Sequence, residues 1–277
     1  MRFCRQVIFQ KDRKMKLTIL GARGSVPIDR QNNELFGGAT SCIMVETEDA
    51  VIFLDAGTGI LGAPEYKPGR KVSILLSHPH IDHLLGLPFF PYLKQRDLTI
   101  DIYATEKGGL DTKGQIDRFI SWPLWPCTIT DYPAEVVCHT IGSGCEISGV
   151  KVDLMESFHP GGSTIFRLEH DNASFVYATD YEHTDEKDAE LVRFCRDTDL
   201  LLYDGQYTVD EYDEKRGFGH STAQHALSVM EGSGARLMRI IHHHPTHSDE
   251  DLLRMEASVR TDNISFARQG ETIWLQR

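Results

Sequence analysis

Short apolar runs, each closed by a polar or glycine-bearing turn, recur along the chain. Residues 16–20 read as a strand that runs into the turn-rich Gly21-Ala22-Arg23-Gly24-Ser25-Val26-Pro27. Residues 28–40 read as a loop ending at Gly37-Gly38. Residues 42–46 and 51–54 make a strand pair closed by Asp55-Ala56-Gly57-Thr58-Gly59. Residues 72–76 form the next strand, and a helix is expected over 82–87. Residues 98–103 read as a strand and 109–120 as a helix. The second half alternates in the same way, with strands over 150–156, 164–168, 174–178, 200–203, 237–241, 264–266 and 272–275. Helices are expected over 186–195, 221–231 and 249–260. The last opens on Ser248, with Asp249, Glu250 and Asp251 in its first turn, where an acceptor and negative charge suit the unpaired amides.

No linker, low-complexity stretch or composition break interrupts this alternation. Strand-rich blocks followed by helices point to one α/β domain over residues 15–277, with sheet against sheet inside and helices outside. Residues 1–14, mixed basic and apolar, are expected to be a leader, an extra strand or a disordered segment, and Met15 is an alternative start. The chain has 277 residues of which 40% are hydrophobic, enough for a substantial core. No stretch has the length and apolarity of a membrane span, and the opening lacks a signal-peptide core. Cys4, Cys42, Cys127, Cys138, Cys145 and Cys195 are scattered without a Cys-x-x-Cys pair, which fits reduced thiols in a cytoplasmic protein. The net charge of -12 argues against gripping long nucleic acid by phosphate neutralisation. It leaves room for a small anionic substrate met by local metal charge.

The chemistry concentrates at strand ends. Ser77-His78-Pro79-His80-Ile81-Asp82-His83 places imidazoles and a carboxylate, ligands suited to borderline metals such as zinc, directly after a strand. The spacing implies two ions, His78 and His80 sharing one while Asp82 and His83 face the other. Later strands end in His159, Asp180, Asp204 and the run His242-His243-His244. Ligands contributed by separate loops at strand ends are the usual layout of an α/β site. Any one of these residues alone reads as a surface histidine or a turn aspartate; their joint occurrence points to a metal site.

These residues resemble the metallo-β-lactamase superfamily, an αββα four-layer sandwich of two mixed sheets with outer helices. Its H-x-H-x-D-H motif is matched by His78, His80, Asp82 and His83, and its later ligands by His159, Asp180 and a histidine of 242–244. The resemblance covers nearly the whole chain from about Met15. It implies a first metal on His78, His80 and His159, a second on Asp82, His83 and His242, and Asp180 bridging both. His243 is the alternative to His242, because adjacent strand residues point to opposite faces. Asp55 matches an aspartate that shapes the loop without binding metal. Gly219-His220-Ser221-Thr222-Ala223 is similar to a segment of the ribonuclease Z-like and cyclic-nucleotide phosphodiesterase-like branch, in which Asp204 stands where a glutamate is usual.

The resemblance implies a dinuclear metal-dependent hydrolase, with two divalent ions activating water. Zinc is the expected metal and manganese or iron the alternatives. Asp82 would orient the attacking oxygen, His220 would assist the leaving group, and Asp204 would orient His220. The long basic arm by which ribonuclease Z grips transfer RNA has no counterpart here; residues 165–200 read as short strands and an acidic helix. The expected substrate is therefore a small phosphodiester such as a cyclic nucleotide. A carbon ester, thioester or lactam is the alternative, RNA or DNA a further one, and a redox di-iron site is disfavoured by His80. A homodimer is expected to form through residues 119–133, which hold Ser121-Trp122-Pro123-Leu124-Trp125-Pro126.

Overall fold

The computed structural model describes residues 15–29, 33–259 and 261–275; the expectation for residues 1–14 lies outside them. The apolar runs form two seven-stranded sheets. The first contains β1 (Met15–Gly21), β2 (Cys42–Glu46), β3 (Ala50–Leu54), β4 (Lys71–Leu76), β5 (Thr99–Ala104) and β6 (Glu135–Thr140) in that order, with β14 (Thr272–Leu275) beside β1. The second is ordered from β7 (Cys145–Ile147) through β8 (Val150–Ser157), β9 (Ser163–His170), β10 (Ala173–Ala178), β11 (Leu200–Asp204) and β12 (Leu237–Ile241) to β13 (Ile264–Phe266). Each sheet is antiparallel on one side and parallel on the other: β3 to β6 run parallel in the first, β10 to β13 in the second.

Period-two alternation sends each strand's side chains to two different cores. Ile52 and Leu54 enter the layer between the sheets and meet Phe166, Phe175 and Leu202 from the other side. Val51 and Phe53 point outward, to Ile60, Leu87, Phe90 and Ile116. Both faces are thus covered, which is why these strands read as continuous apolar runs. The outer face of the second sheet carries α3 (Asp185–Phe194), α5 (Ala223–Ser233) and α6 (Asp249–Val259) through Leu191, Ala226, Val229 and Leu252. The first sheet is covered by α1 (Ile81–Leu84), α2 (Thr112–Asp117) and tight 3-10 turns. The architecture is the αββα sandwich of two mixed sheets.

Several elements differ from the sequence expectation. β6 and β7 lie at sheet edges with half-exposed side chains, so their apolar signal is weak. A further helix, α4 (Val209–Lys215), is mostly acidic and is set by a capping box between Thr208 and Glu211 instead of an apolar face. The helix expected over 109–120 is shorter, confined to α2. Among the described residues no helix is long and apolar enough to cross a membrane. Cys42, Cys127, Cys138, Cys145 and Cys195 are free thiols.

Candidate metal centre

The site lies where the C-terminal ends of the parallel strands of both sheets converge. β4 delivers Ser77, His78 and His80, and α1 starts at once, so Asp82 and His83 occupy its first turn. β8 leads to His159, β10 to Asp180, β11 to Asp204 and β12 to His242. Asp55, Asp180 and His242 all have left-handed backbones, with φ of 61°, 51° and 63°. A non-glycine residue held there costs about 1–3 kcal/mol, a strain that clusters at functional sites.

Two groups form. His78, His80, His159 and Asp180 bring one ligand atom each within 4.8 Å of one another, and so do Asp82, His83 and His242. Asp180 joins the two groups through its separate oxygens. Its Oδ1 lies 3.1 Å from His83 Nε2 and 3.3 Å from His242 Nε2. Its Oδ2 lies 3.6 Å from His78 Nε2 and 3.7 Å from His159 Nε2. Across the second group, His242 Nε2 lies 3.1 Å and His83 Nε2 3.3 Å from Asp82 Oδ2.

The opposite nitrogens of these rings are already engaged. His83 Nδ1 donates to Asp55 Oδ2 at 2.7 Å, His159 Nδ1 to Gly219 O at 3.0 Å and His242 Nδ1 to Gln206 Oε1 at 2.6 Å. Each partner is an acceptor, so Nδ1 carries a proton and Nε2 faces the cluster. This is the outer arrangement of metal-binding histidines. Asp55 also accepts from Ser77 N at 2.7 Å, Ser77 Oγ at 2.9 Å and Tyr177 OH at 2.9 Å. Ser77 Oγ reaches His78 Nδ1 at 3.0 Å. Thr179 Oγ1 donates to Asp180 Oδ1 and Ser25 N to Asp82 Oδ2, both at 2.7 Å. Fully buried Arg23 fixes the loop after β12 by donating to His247 O at 2.8 Å and His244 O at 3.1 Å.

Burial sets the electrostatics. It opposes charge on His78 and His159, pulling the first well below the usual histidine value and the second to about 4. Burial also opposes charge on His242, but Asp180, Asp82 and Asp204 outweigh it and raise the ring to about 9. His83 is raised well above its ordinary value because Asp82, Asp180 and Asp55 overcome its desolvation. Burial likewise disfavours the Asp180 and Asp82 anions, yet the histidines around them hold both pKa values far down. Without cations, protons on His83 and His242 must balance these buried carboxylates. Divalent ions would replace them, and His78 Nε2 is a buried atom with no hydrogen-bond partner. The donor set fits a metal pair.

His220 and Asp204 stand beside this cluster. His220 Nδ1 lies 2.8 Å from Asp204 Oδ2, so its Nε2 is left for the site. Its ring stacks on His242 at 4.8 Å. His220 also meets ligand spacing with Asp180 and His242. His243 faces away, donating from Nε2 to Ala267 O at 2.9 Å and stacking on Phe266. Ser77, Tyr177, Gln206 and Arg23 carry no sequence signal of their own, since each meets its partner only through the fold.

The β-lactamase superfamily domain model matches residues 51–243, the span from β3 to the strand end that bears His242. The chain belongs to the metallo-β-lactamase superfamily. A probable metallo-hydrolase of Bacillus subtilis, YhfI, is 23% identical over 92% of this chain and 98% of its own. The YhfI crystal structure superposes with a TM-score of 0.73 at 18% identity, covering 95% of this chain and 99% of that one. A ribonuclease Z of Haloarcula marismortui is 24% identical over 82% of this chain and 86% of its own. A diphosphatase of the PhnP family has a TM-score of 0.68 at 19% identity, over 94% and 97% of the two chains. Within this superfamily fold, the His/Asp clusters able to hold metal lie at the junction of the two sheets.

Proposed function

We propose that the protein is a dinuclear metal-dependent phosphodiesterase acting on a small phosphodiester such as a cyclic nucleotide. The observation that carries the reading is the buried Asp204–His220 pair set against two metal-capable clusters that share Asp180. His78, His80 and His159 would hold one ion, Asp82, His83 and His242 the other, with Asp180 serving both; zinc suits these ligands, and manganese or iron are alternatives. Bound there, the ions would lower the pKa of a water and offset the negative charge of the phosphoryl oxygens.

The remaining work falls to side chains. Asp82, held by Ser25 N, orients the attacking oxygen. Asp204 accepts a hydrogen bond from Nδ1–H of His220, which turns Nε2 toward the cluster; in the imidazolium form Nε2–H gives its proton to the leaving oxygen and the ring is left neutral, with Nδ1–H still on Asp204. Such a group matters most when the leaving group is a poor one, as a ribose alkoxide is. The Gly219-His220-Ser221-Thr222 segment, similar to that of the phosphodiesterase branch, favours the phosphodiester over the carbon ester, thioester or lactam reading.

A small substrate is supported by the net charge and by the chain between β9 and α3. That chain runs through β9 and β10 into α3, whose first turn holds Asp185, Glu186 and Asp188. The nuclease reading draws on the ribonuclease Z relative. A homodimer through residues 119–133 fits the exposure of Trp122 (83%) and Leu124 (67%), and the free thiols suit a cytoplasmic location. Metal-loaded protein assayed against cyclic nucleotides and short RNA tests the reading. Turnover of the former is expected; cleavage of RNA alone would shift the assignment to a nuclease.

A further inference from the structure

Asp204 orients the His220 ring, but it does not explain what fixes the main chain that carries it. Glu182, two residues beyond Asp180, is buried at 4% exposure. One of its carboxylate oxygens accepts from Gly217 N at 2.6 Å and the other from Gly219 N at 2.8 Å. Its own amide donates to Phe158 O at 3.1 Å. Gly219 O then accepts from His159 Nδ1 at 3.0 Å. One residue thus ties together the loop that carries His159, the loop that carries Asp180 and the loop that carries His220. The approach is as close as a main chain allows: Gly219 has φ +89°, and a Cβ there would stand 2.0 Å from His159 Nδ1.

We propose that Glu182 is a positioning residue, whose two-oxygen clamp on Gly217 and Gly219 sets the spacing between His159 in the metal cluster and His220 at the leaving group. The proposal rests on the His220 role given above. A carboxylate can accept both amides, and charged acceptors make the stronger bonds. A carboxamide has one oxygen; its NH2 would face the second amide, donor against donor. Glu182→Gln is therefore nearly isosteric but cannot close the clamp.

The test compares two phosphodiesters in the metal-loaded, full-length protein, one leaving as p-nitrophenolate and one as an alkoxide. In Glu182→Gln, alkoxide-leaving turnover is expected to fall roughly 10- to 100-fold and p-nitrophenolate turnover less than about 3-fold, as His220 assistance matters only for the first. His220→Ala should show the same asymmetry, and the double variant should be no slower than His220→Ala alone. Amide hydrogen exchange gives a readout independent of turnover: Gly217 and Gly219 should lose protection in the variant while β10 and β11 keep theirs. Should the Gln variant fail to fold, Glu182→Asp, which keeps the charge on a shorter arm, is expected to show the same asymmetry in weaker form. Equal loss on both substrates, or unchanged exchange at Gly217 and Gly219, overturns the proposal. A wild-type protein that turns over neither diester overturns the phosphodiesterase reading and the proposal with it, and is recognised because the unsubstituted protein is the inactive one.

Discussion

Asp204 Oδ2 accepts the Nδ1 proton of His220 at 2.8 Å, and Asp204 is wholly buried at the end of β11. Its other oxygen accepts from the amides of Gln206 at 3.1 Å and Ser221 at 3.3 Å, so the carboxylate cannot swing away. Asp204→Asn would offer His220 an NH2 group in some rotamers and lose the charge in all of them. Turnover of an alkoxide-leaving phosphodiester is expected to fall about 100-fold. Metal content, read by elemental analysis, should stay at the wild-type value. Loss of metal would show instead that Asp204 acts through His242, 3.9 Å from its Oδ2.

Asp55 touches no second-group ligand except His83, yet it accepts from His83, Ser77 and Tyr177 at one buried point. Asp55→Ala leaves those donors unsatisfied and the His83 ring unanchored. The cost is expected to be about 3–5 kcal/mol in the metal-loaded protein by denaturant titration. Loss of a second-layer carboxylate should also weaken metal binding by roughly 10- to 100-fold. A variant of unchanged stability would contradict the assigned role.

Gly24 packs directly on the second group, where a Cβ would stand 2.4 Å from His242 Cε1 and 2.7 Å from Gln206 Oε1. Gly24→Ala should displace His242 while leaving His78, His80 and His159 in place. The expected result is a metal content lowered from two ions per chain toward one. Two tightly held ions in this variant would show that His242 is dispensable.

Protonation of the metal-free site sets a pH dependence. Asp180 and its neighbours raise His242 to about 9, and His83 is raised as well. A raised pKa means that the protonated ring stabilises the fold below its unfolded value of about 6.5, and that this contribution fades as pH rises toward the folded value. Metal binding has the opposite sign, because the ion must displace those protons. Metal-free protein should lose stability between about pH 6.5 and 9, whereas metal affinity should rise over the same range. Titration calorimetry in buffers of different ionisation enthalpy should record proton release on metal uptake; none would contradict the assignment.

The candidate ligands His78 to His83 are legible in the sequence because they are close along the chain, and the later candidates each end an apolar run. Most strands are legible for the same reason, being apolar on both faces. β6 escapes notice because Glu135, His139 and Thr140 flank a short apolar stretch at an edge. The outer layer of the site is harder to see. Ser77 meets Asp55 once β3 and β4 pair, Tyr177 meets it only once the two sheets pack, and Glu182 reaches Gly217 and Gly219 across a loop crossing. The positive φ of Asp180 and His242 likewise has no local sequence mark. The choice of His242 over His243 follows from the turn after β12: it aims one ring at Asp82 and Asp180 and buries the other against Phe266.

The most direct measurement is the ratio of turnover on bis-p-nitrophenyl phosphate to that on p-nitrophenyl acetate, made on protein shown to carry two divalent ions per chain. Both substrates release the same leaving group, so the ratio reports the preference for phosphorus over carbon. The account predicts strong preference for the phosphodiester, lost on metal removal and restored on reloading. Hydrolysis of the acetate alone by the fully loaded protein would contradict it.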